Sequence, residues 1–189
     1  MLRRALTLAA TAATLTACGM PTVTTAADKE AAISAPRGAA TAGASTKSST
    51  PKPAGIGDVI TLKGSGDLKV AVKLNRVIQK GAPANELVKP EAGKRLFGVE
   101  IIMKNVGAET YDDSPSNGAK VVDSEGQEYD AALFGEIAGT HKLQATTMAS
   151  DDTRKGVLAF EVPTAAKIVR FQLALNSGFA DQKGSWKLK

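Results

Sequence analysis

Cysteine and histidine occur once each in this sequence, as Cys18 and His141. One thiol excludes any internal disulfide, and one imidazole forces any triad, general-base scheme or histidine metal cluster to run through His141. Aromatic side chains make up 4% of the chain, too few for platforms that stack bases or sugars. No apolar run reaches the roughly 20 residues that span a bilayer. No Gly-x-Ser-x-Gly elbow, nucleotide-binding glycine loop or Asn-x-Ser/Thr acceptor occurs. An excess of one charge is missing too. The net charge of +5 comes mostly from the first 56 residues, because from Gly57 onward 18 basic side chains face 17 acidic ones. That balance leaves no electrostatic footprint for nucleic acid.

What is present begins with an address. Arg3 and Arg4 precede an uncharged apolar run from Ala5 to Ala17, the layout of a secretory leader. Ordinary signal cleavage after Ala17 would leave bulky Leu15 at the third position before the cut, where a small residue is wanted. Leu15-Thr16-Ala17-Cys18 resembles instead the lipobox of bacterial lipoproteins, in which the leader is removed and the cysteine becomes an acylated N-terminus. The resemblance implies a leader over residues 1–17 and two or three fatty acyl chains, palmitate among them, on Cys18. Two chains anchor stably where one is marginal. The expected location is the extracytoplasmic face of the cell membrane.

Residues 18–56 read as the lipidated cysteine followed by a flexible tether. The stretch is rich in Ala, Thr, Ser and Pro and nearly free of large apolar residues, so it cannot bury enough surface to order itself. As a coil, the 37 residues from Gly19 to Gly55 span on the order of 35 Å.

Residues 57–189 read as one β-rich domain. Leu68, Val70, Val72 and Leu74 alternate with polar neighbours, as do Phe97, Val99, Ile101 and Met103; period two marks strands buried on one face. Strands are predicted over 58–63, 68–75, 94–106, 120–122, 128–129, 156–162, 167–175 and 185–188. In the 167–175 strand Val169, Phe171, Leu173 and Leu175 are the expected inward face, with Arg170 and Gln172 opposed. The 185–188 strand is expected at an edge, with Trp186 against a neighbour. Gly126 closes a hairpin after Asp123-Ser124-Glu125. Residues 81–93 and 107–118 read as loops. Residues 131–149 have no legible structure beyond Leu133, Phe134, Ile137 and Leu143 as anchors. Seven to eight short strands without a long helix predict an all-β antiparallel sandwich of the immunoglobulin-like kind.

Three motifs carry a family resemblance: Ile102-Met103-Lys104-Asn105-Val106-Gly107, the hairpin Asp123-x-x-Gly126-x-x-Tyr129, and Gly156-x-Leu158-x-Phe160-x-Val162-Pro163. Over Gly57 to Leu188 the chain resembles a widespread family of immunoglobulin-like domains of unknown function. These occur on Gram-positive secreted proteins and lipoproteins and are similar to a mycobacterial secreted immunoprotective antigen. Where the family often has a Pro-Gly turn, this chain has Ser150-Asp151-Asp152. The resemblance implies a sandwich and an extracellular setting, and no reaction.

Candidate chemistry is sparse. His141 sits in a polar stretch and reads as a surface residue. Asp112-Asp113, with Ser114, Ser116 and Asn117, offers the hard oxygens calcium prefers, but Pro115 and the lack of alternating acidic spacing argue for a solvated loop. Asp151-Asp152 before Arg154-Lys155 reads as a turn. No catalytic residue, metal site or cofactor is expected. The leading expectation is a non-enzymatic, lipid-anchored binding or structural module of the bacterial envelope, with the membrane and an envelope protein as partners and no nucleic acid. Its contacts are expected through loops 81–93, 107–118 and 131–149. The alternative is a metal-dependent extracellular hydrolase using the loop around Asp112-Asp113.

Overall fold

A computed structural model describes residues 22–27 and 53–189. The leader, Cys18 and residues 28–52 of the expected tether lie outside the described residues. Eleven strands occur among them: β1 (Thr22–Thr24), β2 (Val59–Lys63), β3 (Lys69–Gly81), β4 (Lys94–Asn105), β5 (Tyr111–Asp113), β6 (Ala119–Asp123), β7 (Glu128–Asp130), β8 (Thr146–Met148), β9 (Thr153–Pro163), β10 (Ile168–Ala174) and β11 (Gln182–Lys187). They build a five-stranded sheet, β1-β11-β10-β6-β7, over a four-stranded sheet, β2-β3-β4-β9, with β5 and β8 as a separate pair. The all-β sandwich expected from the alternation is the fold observed. None of the described helices is long and apolar enough to cross a membrane.

The core lies where the period-two faces meet. Phe97, Val99, Ile101 and Met103 of β4 are completely buried, facing Val121, Phe171, Leu173 and Trp186 of the other sheet. Phe171 packs 5.5 Å from Trp186 and edge-on at 6.3 Å from Phe160, geometries worth about 1 kcal/mol beyond burial alone.

Four expectations are corrected. A register shift between Ile168 and Arg170 turns Ile168 into the core and leaves Val169 half-buried, because a bulge displaces one residue from the alternation. Gln172, expected outside, is buried. The 107–118 loop contains β5, whose Tyr111 is in the core. Finally, β11 is not an edge. Thr22–Thr24, inside the expected tether, pairs with it in parallel. Gln182 Nε2 donates to Thr24 Oγ1 at 2.6 Å, and Ala54 N–H donates to Thr25 O at 2.7 Å. Without β1, β11 would present a row of unpaired backbone groups, and Thr-Val-Thr, with β-branched side chains throughout, suits the pleat.

Strand directions define two ends. One gathers residues 64–68, 107–118, 149–152 and 175–181, joined by Ser65 N–H donating to Asn176 Oδ1 at 3.0 Å. The opposite end gathers 82–93, 124–127, 131–135 and 164–167, joined by Arg95 Nη2 donating to Ala166 O at 2.9 Å.

Candidate functional site

Asp112 and Asp113 are neighbours on β5, and adjacent strand residues face opposite ways. The pair is therefore split. Asp112 Oδ1 accepts from Thr147 Oγ1 at 2.9 Å on β8. Asp113 accepts from Ser177 N–H at 2.5 Å and from Ser177 Oγ at 2.6 Å, and from Ser114 N–H at 2.7 Å. Its carboxylate holds the 175–181 turn, in which Asn176, Ser177 and Gly178 have φ of 53°, 53° and 91°. Left-handed backbone costs an ordinary residue about 1 kcal/mol, and Asp113 supplies the compensating bonds. Burial, reinforced by the charges of Asp113 and Asp112, pushes the Tyr111 hydroxyl far above its ordinary value. Ser114 Oγ pairs with Ser116 Oγ at 2.8 Å, and Asn117 Nδ2 donates to Ser177 Oγ at 3.3 Å. Four of the five expected oxygen donors thus serve as turn architecture, and Asp112 makes a cross-strand bond. Among the described residues no three of His, Cys, Asp and Glu come together as a metal site.

His141 is exposed, and its role is in the backbone: its carbonyl accepts from Val157 N–H at 2.8 Å. Leu143 N–H donates back to Val157 O at 3.0 Å, so residues 141–143 cover the β9 edge at that point. Asp151 takes φ of 68°, the left-handed conformation that the glycine of a Pro-Gly turn would supply, while Asp152 Oδ2 accepts from Ala149 N–H at 3.1 Å.

The three expected contact loops do not form one surface. The 107–118 loop belongs to the Asp113 end. The 82–93 and 131–138 segments converge at the opposite end, where Ala84 N–H donates to Glu136 O at 3.0 Å and Ala138 N–H to Ala82 O at 2.9 Å. Ile137 pins both by inserting its side chain over Gly81 and Gly98, where a Cβ would lie 2.7 Å from Ile137 Cδ1. With Leu96, Val157 and Ala159 it makes a small second core on the outer face of the β2-β3-β4-β9 sheet.

A groove of about 330 Å³ opens beside this plug, lined by Leu87, Lys94, Leu96, Leu133, Phe134 and Glu161 among others. Leu87 is 94% exposed, Leu133 74% and Phe134 75%. Leu133 and Phe134 are thus not the anchors expected; Ile137 and Leu143 are, both buried. Ion pairs rim the groove. Lys94 Nζ lies 2.7 Å from Glu91 and 3.5 Å from Glu161. The hydrogen bond with Glu91 holds the Lys94 ammonium above its ordinary range and the Glu91 carboxyl below. Lys142 Nζ donates to Leu133 O at 2.8 Å, fixing the loop that carries the exposed pair. Leu133 and Phe134 occupy a turn closed by Gly135 N–H donating to Ala132 O at 3.2 Å, and no local pattern in the sequence marks them as exposed.

No curated protein matches the chain. Among solved structures it is similar to MPT63, a secreted protein of Mycobacterium tuberculosis, at 17% identity and a TM-score of 0.54, covering 74% of this chain and 99% of that one. It is also similar to the yjhA protein of Bacillus subtilis, at 18% identity and a TM-score of 0.48, covering 72% and 99%. A third likeness, to ycdA of Bacillus subtilis, has 18% identity and a TM-score of 0.48, and covers 67% of this chain but 38% of that one. The likeness to MPT63 shows the same sandwich. A family model matches residues 63–184, from the end of β2 into β11, and the chain belongs to that family, a domain of unknown function (DUF4352).

Proposed function

We propose that this chain is a non-catalytic binding module, held by lipid on Cys18 at the extracytoplasmic face of the membrane, that contacts an envelope protein through the groove between residues 86–88 and 131–135. The observation that carries it is the cluster of Leu87, Leu133 and Phe134 around one groove. Single exposed apolar residues are ordinary, but a group of large ones rimmed by charges marks an interaction site. The loops behind them are pinned by Ile137 and Lys142, so the apolar surface is pre-organised, which lowers the entropic cost of association. The lipobox and the secreted setting of MPT63 agree with an extracytoplasmic address.

The test is site-specific photocrosslinking on intact cells. Benzophenone at position 134 should give one reproducible protein adduct, lost when Leu133→Asp is added, while the same group at position 63 gives none. Absence of an adduct at 134, or an adduct indifferent to Leu133→Asp, overturns the groove as contact surface.

A further inference from the structure

We propose that the end of the sandwich carrying Phe179 docks on the lipid bilayer, and that β1 holds it there. The inference rests on the reading of Cys18 as the acylated N-terminus.

The first support is where the anchor joins the fold. Thr22 N–H donates to Asp181 O at 2.6 Å, and Thr22 pairs with Gln182, so β1 begins at the foot of the 175–181 turn. Only Gly19, Met20 and Pro21 separate it from Cys18, and four Cα steps reach at most about 14 Å. A coil running from Cys18 to Pro53 would instead average on the order of 33 Å. Ala26 bridges to Pro53, so residues 28–52 leave and rejoin the domain at one place. Their length adds nothing to the distance between lipid and domain. The expected long tether becomes a short leash attached to one chosen end.

That end presents a suitable surface. Phe179 is 88% exposed and Val106 45%. The turn beneath Phe179 is enforced: two non-glycine residues adopt left-handed backbone, and Asp113 is bonded to both the amide and the hydroxyl of Ser177. Strain of this kind persists only where the surroundings impose it, and its result here is a held turn from which Phe179 projects outward. The loops of this end carry Asp67, Glu109, Asp112, Asp113, Asp151, Asp152 and Asp181 and no basic residue, with Lys63 and Lys183 on the adjoining strands, so charge does not draw it to anionic lipid. The contact is insertion of an apolar ring at the headgroup and acyl boundary. With this end down, the groove at Leu87, Leu133 and Phe134 faces away from the membrane.

The experiment uses the full-length acylated protein. With the Cys18 thiol consumed by lipid, Phe179→Cys creates the one free thiol, which is labelled with a nitrobenzoxadiazole dye and reconstituted in phosphatidylcholine vesicles containing nitroxide-labelled lipid. The expected result is blue-shifted emission and severalfold stronger quenching than for the same label at Phe134→Cys. A flexible insertion of about 20 residues between Gly19 and Pro21 should abolish the difference, and the same insertion within residues 28–52 should leave it intact. Equal quenching at 179 and 134 in vesicle-bound protein overturns the docking while the lipid anchor stands. Loss of quenching on insertion within 28–52 overturns β1 as the clamp. Mass spectrometry showing no acyl chain on Cys18 removes the anchor reading and the docking with it.

Discussion

Asn105 is completely buried at the end of β4, and it joins three pieces of chain. Its Nδ2 donates to Glu109 O at 2.8 Å and to Met148 O at 3.0 Å, while its Oδ1 accepts from Gly107 N–H at 3.0 Å. Asn105→Ala removes three hydrogen bonds and strands two carbonyls and one amide. At about 1 kcal/mol net for each bond, the loss is about 3 kcal/mol, or a fall in Tm of about 10 °C for a domain of this size. Asn105→Asp has the same shape but no donor, so its carboxylate would face two carbonyl oxygens. The charged form is disfavoured in the fold, and the folded pKa rises above the unfolded value of about 3.9. A raised pKa means that stability is retained below the unfolded value and lost as pH climbs through the folded one. The Asp variant should therefore lie closer to wild type near about pH 4 than near about pH 7, whereas the deficit of the Ala variant stays constant. Urea denaturation of all three proteins at both pH values measures this. An Asp variant with the same deficit at both, or an Ala variant within about 1 kcal/mol of wild type, would refute the reasoning.

Gly107, two residues on, is needed for space: a Cβ there would lie 2.4 Å from Asp67 O and 2.6 Å from Lys69 N, both backbone. Gly107→Ala should cost about 2–3 kcal/mol by denaturant titration, whereas Gly126→Ala, at φ of 88° in open space, should cost about 1 kcal/mol. A third prediction concerns acid. Burial pushes the Asp123 carboxyl up, but bonds from Gln127, Tyr129, Glu125 and Gly126 outweigh it and hold the group below its ordinary value. At Glu100 burial is likewise outweighed, there by Arg76, Asn75 and Lys155. Depressed carboxyl pKa values give stability that is full above the unfolded values of about 4 and is lost as pH falls toward the folded ones. The wild type should destabilise below about pH 5, and Asp123→Asn with Glu100→Gln should flatten that slope in a melting series. An unchanged slope would show that neither carboxylate governs acid stability.

Period-two alternation was enough to place β4 and the first half of β3, which runs on to Gly81, and to turn Phe97, Val99, Ile101 and Met103 inward, because pleat geometry is a property of each strand taken alone. Gly126 likewise announced its turn, and it carries the positive φ that such a turn requires. The candidate site was legible only in part. Loops 81–93 and 131–149 stood out as irregular, but not that Leu133 and Phe134 face outward while Ile137 and Leu143 face inward. That choice depends on Gly81 and Gly98 leaving room on a distant sheet face. The acidic pair at 112 and 113 read as a solvated loop; that Asp113 instead holds a turn is decided by Ser177, 64 residues away in sequence. The same holds for Thr22–Thr24, whose strand exists because β11 offers it an unpaired edge. Local periodicity determined the inward faces of the strands, which depend on neighbours in the chain, and the residues before Thr22 supplied the expectation of a leader and a lipid anchor. Tertiary structure alone decided which edges are covered and which apolar side chains remain in water, since each follows from groups far apart in sequence competing for one hydrogen-bonding edge or one cavity.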